Sequence, residues 1–301
     1  VVSRPGASRR EIVAGFEVYR RRTLRAQRLR TLALLLGVSA LLAISLHVSE
    51  VFTAAIGGDP LGRVASFLTL MNPALAPAAL LAPRETPGSL AAWFYDFPLW
   101  LGLLWETVRI AIVATLLGGA GALAVSFLAA RNLSPHPAVY AITRRTLELV
   151  RTLPDLILAL ILVAAFGVGP LPGVIALSIA TMGSLGKLFA EANENIDMAQ
   201  VEAVRATGAG WIAQMRFGVL PQTLANHASY ALLRFEGNVA AAAALGIVGA
   251  GGIGVELSRA ITYTQFDTYL ALLLMIIALI IVIDWSSEQI RHRIIGLEGA
   301  R

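Results

Sequence analysis

Apolar positions along this chain come in long blocks, not in the alternation of half-buried strands. Crossing a bilayer takes about 20 mostly apolar residues. Two runs are free of carboxylates, lysine and arginine, Thr31 to Val48 and Tyr269 to Ile283. A third, Leu101 to Ala130, is broken only by Glu106 and Arg109. A fourth, Leu147 to Phe166, contains Arg151, Pro154 and Asp155, and a fifth, Leu171 to Phe189, has Lys187 at its end. The sixth, Thr223 to Leu245, contains His227, Arg234, Glu236 and Asn238. The pattern predicts an all-α integral membrane protein of about six transmembrane helices.

The segments between the runs set the orientation. Basic residues number nine in 1–30, and three each in 131–145, 187–221 and 284–301. The alternate segments, 49–98, 167–170 and 246–266, hold only Arg63, Arg84 and Arg259. Arginine and lysine concentrate on the cytoplasmic side of inner-membrane proteins, so both termini are expected in the cytoplasm. Composition agrees, with 57% hydrophobic and 14% charged residues against about 25% charged in soluble domains. The net charge of +5 is therefore a topology signal, and nucleic acid is not expected as a partner.

Five segments follow from this map. Residues 1–30 form a basic cytoplasmic segment, read either as a helix lying on anionic headgroups or as a topogenic tail. It is not a cleaved signal peptide, because thirty residues precede the apolar run and no small-residue cleavage site stands out. Residues 31–48 are the first transmembrane helix. Residues 49–98, rich in proline, are an extracytoplasmic loop with short surface helices rather than a seventh span. Residues 99–286 form the core, interrupted by a cytoplasmic loop at 191–222, and residues 287–301 are a tail.

That cytoplasmic loop reads EANENIDMAQVEAVRATGAGWIAQMRFGVLPQ and is too polar to continue either neighbouring span. A short helix should end at Gly208 in a left-handed cap. A second short helix should run along the membrane face and stop at Leu220-Pro221. Glu202-Ala203, Gly208 and Leu220-Pro221 resemble, in register, the EAA loop of ABC importer permeases. Val204 replaces that pattern's second alanine, and Gly218 stands where isoleucine is usual. LVRTLPDLILALIL (149–162), GSLGKLFAEANENID (183–197), LLRFEGNVAAAAALGIVGAGGIG (232–254) and FLAARNL (127–133) are similar to blocks of phosphonate-type permeases.

The resemblance covers roughly residues 100–290 and implies an ABC importer type I permease-like fold in the cytoplasmic (inner) membrane. It implies a homodimer, two copies of an ABC ATPase subunit, an extracytoplasmic substrate-binding protein, and lipid around the whole. It also implies inward movement of a phosphonate, phosphate or phosphite by alternating access. The ATPase-coupling residues would be Glu202, Ala203, Val204, Thr207, Gly208, Ala209, Leu220 and Pro221. An ABC permease for another small solute, and an ATP-independent secondary transporter, are the alternatives.

No cofactor is expected on this chain, ATP and Mg belonging to the partner ATPase. The only lysine, Lys187, is followed by Leu188 and not by the Ser or Thr of a P-loop. Cysteine is absent, and the four histidines lack metal-ligand spacing, so neither a metal site nor a catalytic residue is expected. An intramembrane hydrolase fails on geometry, since His227 and Ser229 are two apart on a helix.

Charges within spans normally face a cavity or a partner. Glu106 with Arg109, and Arg151 with Asp155, have helical spacings that suit pairing. His227, Arg234 and Asn238 share a side of the sixth run, which either lines an anion path or forms structural glue; Glu236 points elsewhere and could hold Arg234 of the same or the neighbouring subunit. Gly246, Gly249, Gly251, Gly252 and Gly254 break the helix at its outer end, as a gate near the dimer axis or as a plain turn.

Overall fold

The computed structural model describes residues 9–48 and 59–298, and every regular element among them is helical. The expectations for residues 1–8, 49–58 and 299–301 lie outside the described residues. The chain divides into two units, residues 1–69 and 70–301.

In the first unit, helix α1 runs Arg9–Val48 without a break, and its apolar part spans Ala26–Val48. No glycine or proline lies between Phe16 and Leu36, so nothing separates the basic half from the apolar half. Helix α2, Pro60–Met71, lies across the boundary between the units. Asp59 caps it, its Oδ1 accepting from Gly62 N at 2.8 Å. With 12 residues α2 reaches about 18 Å, short of the roughly 30 Å hydrocarbon core.

The second unit carries the remaining helices. A 3-10 turn at Pro77–Ala79 leads to α3, Leu90–Trp93, capped by Ser89 Oγ, which accepts from Ala92 N at 3.0 Å. Then follow α4 (Phe97–Ala129), α5 (Pro137–Thr152), α6 (Asp155–Phe166), α7 (Pro170–Glu194) and α8 (Met198–Ala206). After them come α9 (Trp211–Gln214), α10 (Leu220–Leu245), α11 (Gly254–Thr262) and α12 (Phe266–Glu298). Among the described residues five helical stretches are long and apolar enough to cross a membrane, six if the bent pair α5–α6 counts as one span.

Small residues let the central helices touch. α4 presents Ala111, Ala114, Gly118, Ala122, Ser126 and Ala129 as a buried stripe against α7. A methyl group on Gly118 would lie 2.5 Å from the Ser178 carbonyl oxygen. On α7, one on Gly183 would meet Val150 at 2.8 Å, and one on Gly186 would meet Leu147 at 2.7 Å, which is where α5 packs. Lipid supplies no hydrophobic drive between helices, so close backbone approach of this kind carries much of the association.

The fourth predicted run is not one kinked helix but two helices meeting at 83°. Leu153 (φ −74, ψ 123) and Pro154 (φ −64, ψ 128) are both extended. Proline disfavours the α conformation in the residue before it, and the break falls at Leu153. α6 starts afresh at Asp155, with its carboxylate at the positive end of the helix dipole.

Candidate functional site

The loop after α7 is built around α8. Asp197 caps it, Oδ1 accepting from Ala199 N at 2.9 Å. Gln222 brackets the start of the loop, its Oε1 accepting from Asp197 N at 3.0 Å and its Nε2 donating to Asp197 O at 3.2 Å. Gly208, at φ +80, takes the left-handed conformation foreseen for it, and its N–H donates to Arg205 O at 2.9 Å. Glu202, Ala203, Thr207 and Gly208 are exposed, while Val204 and Ala209 are half-buried. Val201, beneath them, packs with Ala130, Leu133, Met215 and Val219. Trp211 anchors the return strand of the loop, its Nε1–H donating to Leu133 O at 2.8 Å.

The expected second surface helix, with its stop at Leu220-Pro221, is not what forms. From Trp211 to Val248 the chain makes one continuous apolar stretch of 38 residues. Pro221 has no N–H, and its ring crowds the carbonyl four residues back, at Phe217. A π turn over Met215–Val219 widens the helix there and absorbs the proline without ending it. Leu220 is half-buried and Pro221 exposed at this junction. Gly218 also gains a reason: a methyl group on it would lie 3.0 Å from Val201 Cα, so α8 seats against bare backbone.

Further along α10 lies a polar layer between α4, α7 and α10. Thr115 Oγ1 donates to Ala111 O at 2.7 Å and accepts from Asn238 Nδ2 at 2.8 Å. The same amide nitrogen donates to Thr181 Oγ1 at 2.9 Å. Thr181 Oγ1 also accepts from Arg234 Nε at 3.3 Å. Arg234 Nη2 then lies 3.7 Å from Asp155 Oδ2, at the head of α6. Arg234 and Asn238 thus come together as expected. His227 does not join them: it is buried about two turns from Arg234 and three from Asn238, with its ring 4.3 Å from that of Phe189.

Two pairings drawn from helical spacing, and one reading of Glu236, are corrected. Asp155 faces Arg234, not Arg151, because the elbow at Pro154 turns α6 away from α5. Within the chain Glu236 does not hold Arg234; its Oε1 accepts from Arg291 Nη2 at 2.6 Å, across to α12. Glu106 does not pair with Arg109, since its Oε1 accepts from Gly252 N at 3.1 Å.

That last bond belongs to the glycine turn. After a 3-10 turn at Gly246–Val248, Gly249, Gly251 and Gly252 adopt φ of +89, +85 and +72. Thr107 Oγ1 accepts from Ile253 N at 3.0 Å, and Gly169 N donates to Gly249 O at 2.9 Å. Gly246 and Gly254 face each other so closely that a methyl on Gly246 would lie 2.7 Å from Gly254 Cα. The turn is therefore laced to α4 and to the α6–α7 connection.

Sequence reasoning missed Thr115, Thr181, Thr107 and the partner of Asp155. Threonine in an apolar run gives little warning, because its hydroxyl is commonly satisfied by its own helix. The signal available was Asn238, whose amide requires partners in lipid.

Known proteins share this architecture. The sequence model of the family described as "Binding-protein-dependent transport system inner membrane component" matches residues 122–296. The phosphite transport system permease protein PtxC of Stutzerimonas stutzeri is 40% identical over 223 residues, 74% of this chain and 79% of that protein. The phosphate-import permease protein PhnE of Mycolicibacterium smegmatis is 43% identical over 190 residues, 63% of this chain and 36% of that protein. Among solved structures, the inward-facing MetNI methionine ABC transporter aligns with a TM-score of 0.57 at 20% identity, covering 66% of this chain and 97% of that one. The fold is that of ABC importer permeases.

Proposed function

The chain belongs to the binding-protein-dependent transport system inner membrane component family, and from that premise we propose that two copies of it form the membrane path of an importer for a phosphorus oxyanion. It is a multi-pass inner-membrane permease subunit, and its family works with ATPase and substrate-binding partners. Two ATPase copies bind the ATP and Mg. The binding protein delivers the solute on the outer side, both termini lie in the cytoplasm, and this chain performs no covalent chemistry.

Two features support the partners' places. Helix α8 stands exposed, reversed by Gly208 and stiffened from below by Val201 and Trp211, a form suited to receiving a push from an ATPase. Glu202, Ala203, Val204, Thr207, Gly208 and Ala209 form or flank its exposed tip, and Leu220-Pro221 carry the motion past the π turn into α10. The turn from Gly246 to Gly254 lies at the opposite end of α10, where the gate belongs.

The substrate class rests on one observation. Arg234 is half-buried in a transmembrane helix, and its terminal nitrogens make no hydrogen bond to the described residues. A guanidinium whose terminal donors make only a long ion pair, to Asp155, suits phosphoryl oxygens. The permeases named above are a phosphite and a phosphate transporter, which agrees with that chemistry.

The test is uptake in a phosphate-starved strain lacking this chain, with and without complementation, using labelled phosphate, phosphite and methylphosphonate. ATP-dependent recovery of one of them is the expected outcome. Recovery of none, at a normal membrane level of the protein, overturns the substrate class and leaves the permease of another solute.

A further inference from the structure

Two arginines and two carboxylates meet across the helices flanking α10, and the two pairs are not alike. Arg291 and Glu236 are in tight contact at 2.6 Å, a charge-assisted hydrogen bond of ordinary length. Arg234 and Asp155 stand at 3.7 Å, beyond hydrogen-bond length, and both side chains are partly exposed, the carboxylate at 34% against 17% for Glu236. The first pair is a closed tie between α10 and α12. The second is an open one.

Asp155 is also placed to survive the loss of its partner. Removing one member of a buried ion pair normally strands the other charge. Here the carboxylate is the first residue of α6, whose opening N–H groups and dipole favour a negative charge. It is the only charged residue in α6, Asp155–Phe166. Arg234, for its part, stays fixed in position by the bond from Nε to Thr181 Oγ1, whether or not Asp155 is near.

We propose that Asp155 is the exchangeable counter-ion of Arg234: an entering oxyanion takes the terminal guanidinium nitrogens, and the carboxylate falls back on the N-terminus of α6. This rests on the substrate class proposed above and adds the residue that sets its charge threshold. A neutral solute gains nothing by displacing Asp155. A singly charged anion merely replaces one charge by another. A doubly charged phosphoryl group with several oxygens outcompetes the carboxylate. Once it leaves, Asp155 returns and blocks rebinding, which makes Asp155 a positioning and specificity residue at the permease's own substrate contact.

The experiment uses the full complex of permease, ATPase and binding protein in proteoliposomes. Equilibrium binding of labelled phosphite, phosphate and chloride is measured in the nucleotide-free state without binding protein, and uptake is measured with it. Asp155→Asn should bind the transported anion about fivefold tighter and admit chloride to the site, with slower uptake. Asp155→Glu should restore wild-type discrimination. The neutral double variant Asp155→Asn/Arg234→Gln separates the roles. If the pair were only structural, removing both charges together would restore transport; the counter-ion role requires an assembled complex that binds no anion. Unchanged binding in Asp155→Asn, or transport by the double variant, overturns the proposal. A wild-type complex that transports none of the phosphorus oxyanions but still binds another anion tighter in Asp155→Asn overturns the substrate class and leaves the counter-ion in place.

Discussion

Thr181 is the residue on which the polar layer turns, because its one hydroxyl oxygen accepts from both Asn238 and Arg234. Thr181→Val keeps the shape and removes the acceptor, leaving an amide donor and a guanidinium nitrogen short of a partner. A buried donor without an acceptor costs about 1–3 kcal/mol. Thermal unfolding in detergent should show a larger loss for Thr181→Val than for Thr115→Val, which strips only one of Asn238's two contacts. Equal shifts would remove Thr181 from its central place. Glycine positions separate in the same way. Gly208 has φ +80 but no atom where a methyl would go, so Gly208→Ala should cost only about 1–2 kcal/mol of backbone strain. At Gly252 the conformation is similar, and a methyl would also lie 2.5 Å from Thr107 Oγ1. Gly252→Ala should therefore destabilise more than Gly208→Ala in the same assay, and the reverse order would contradict the packing described for the turn.

At the scale of elements, Trp211 joins α9 to the end of α4. Trp211→Phe keeps the aromatic body and deletes the Nε1–H bond to Leu133 O, a loss of about 1 kcal/mol. Hydrogen exchange should rise in residues 197–210 and stay unchanged in the α4–α7 interface; faster exchange across both would mean that the bond holds the whole unit. Elements are also where the sequence was most and least legible. Long apolar blocks located the spans, since lipid demands them, and Gly208 marked the end of α8, since a left-handed cap favours glycine. The elbow at Pro154 was visible as a kink but not as an 83° turn, because proline biases the residue before it and does not set the path that follows. Pairings inferred from spacings of three and four residues failed at Glu106 and Asp155, and Glu236, read as a partner for Arg234, bonds to Arg291 instead. Each carboxylate found a partner on another element, and one-dimensional spacing ranks only neighbours on the same helix. Pro221 misled for a related reason: whether a helix ends or widens at proline depends on what packs around it.

For the whole molecule, the π turn that follows the α8 loop and the polar layer lie at different heights along one continuous stretch from Trp211 to Val248, so motion at one end need not pass through a flexible joint. Glu202 is exposed on α8 and makes no ion pair among the described residues. Reversing its charge should spoil docking without disturbing the fold. In the reconstituted complex, Glu202→Lys should retain ATP hydrolysis by the ATPase subunits while uptake falls by about tenfold or more, and wild-type uptake in that variant would move the contact elsewhere. A drop of tenfold corresponds to about 1.4 kcal/mol of lost coupling, within the usual range for linked sites.

The polar layer has a consequence for how the protein is made. As α4 leaves the translocon, its Thr115 hydroxyl is already satisfied by the carbonyl of Ala111 and the helix is at ease in lipid. Asn238 has no such refuge: both of its donor bonds reach hydroxyls on helices synthesised earlier. α10 therefore partitions into the bilayer favourably only when α4 and α7 already stand together, which imposes an order on biogenesis. In chains truncated after α10, glycosylation mapping should find α10 inserted in the parent sequence and largely excluded when Thr115 and Thr181 are both changed to Val. Equal insertion in the two would mean that hydrophobicity alone carries α10 across, and that the layer forms only afterwards.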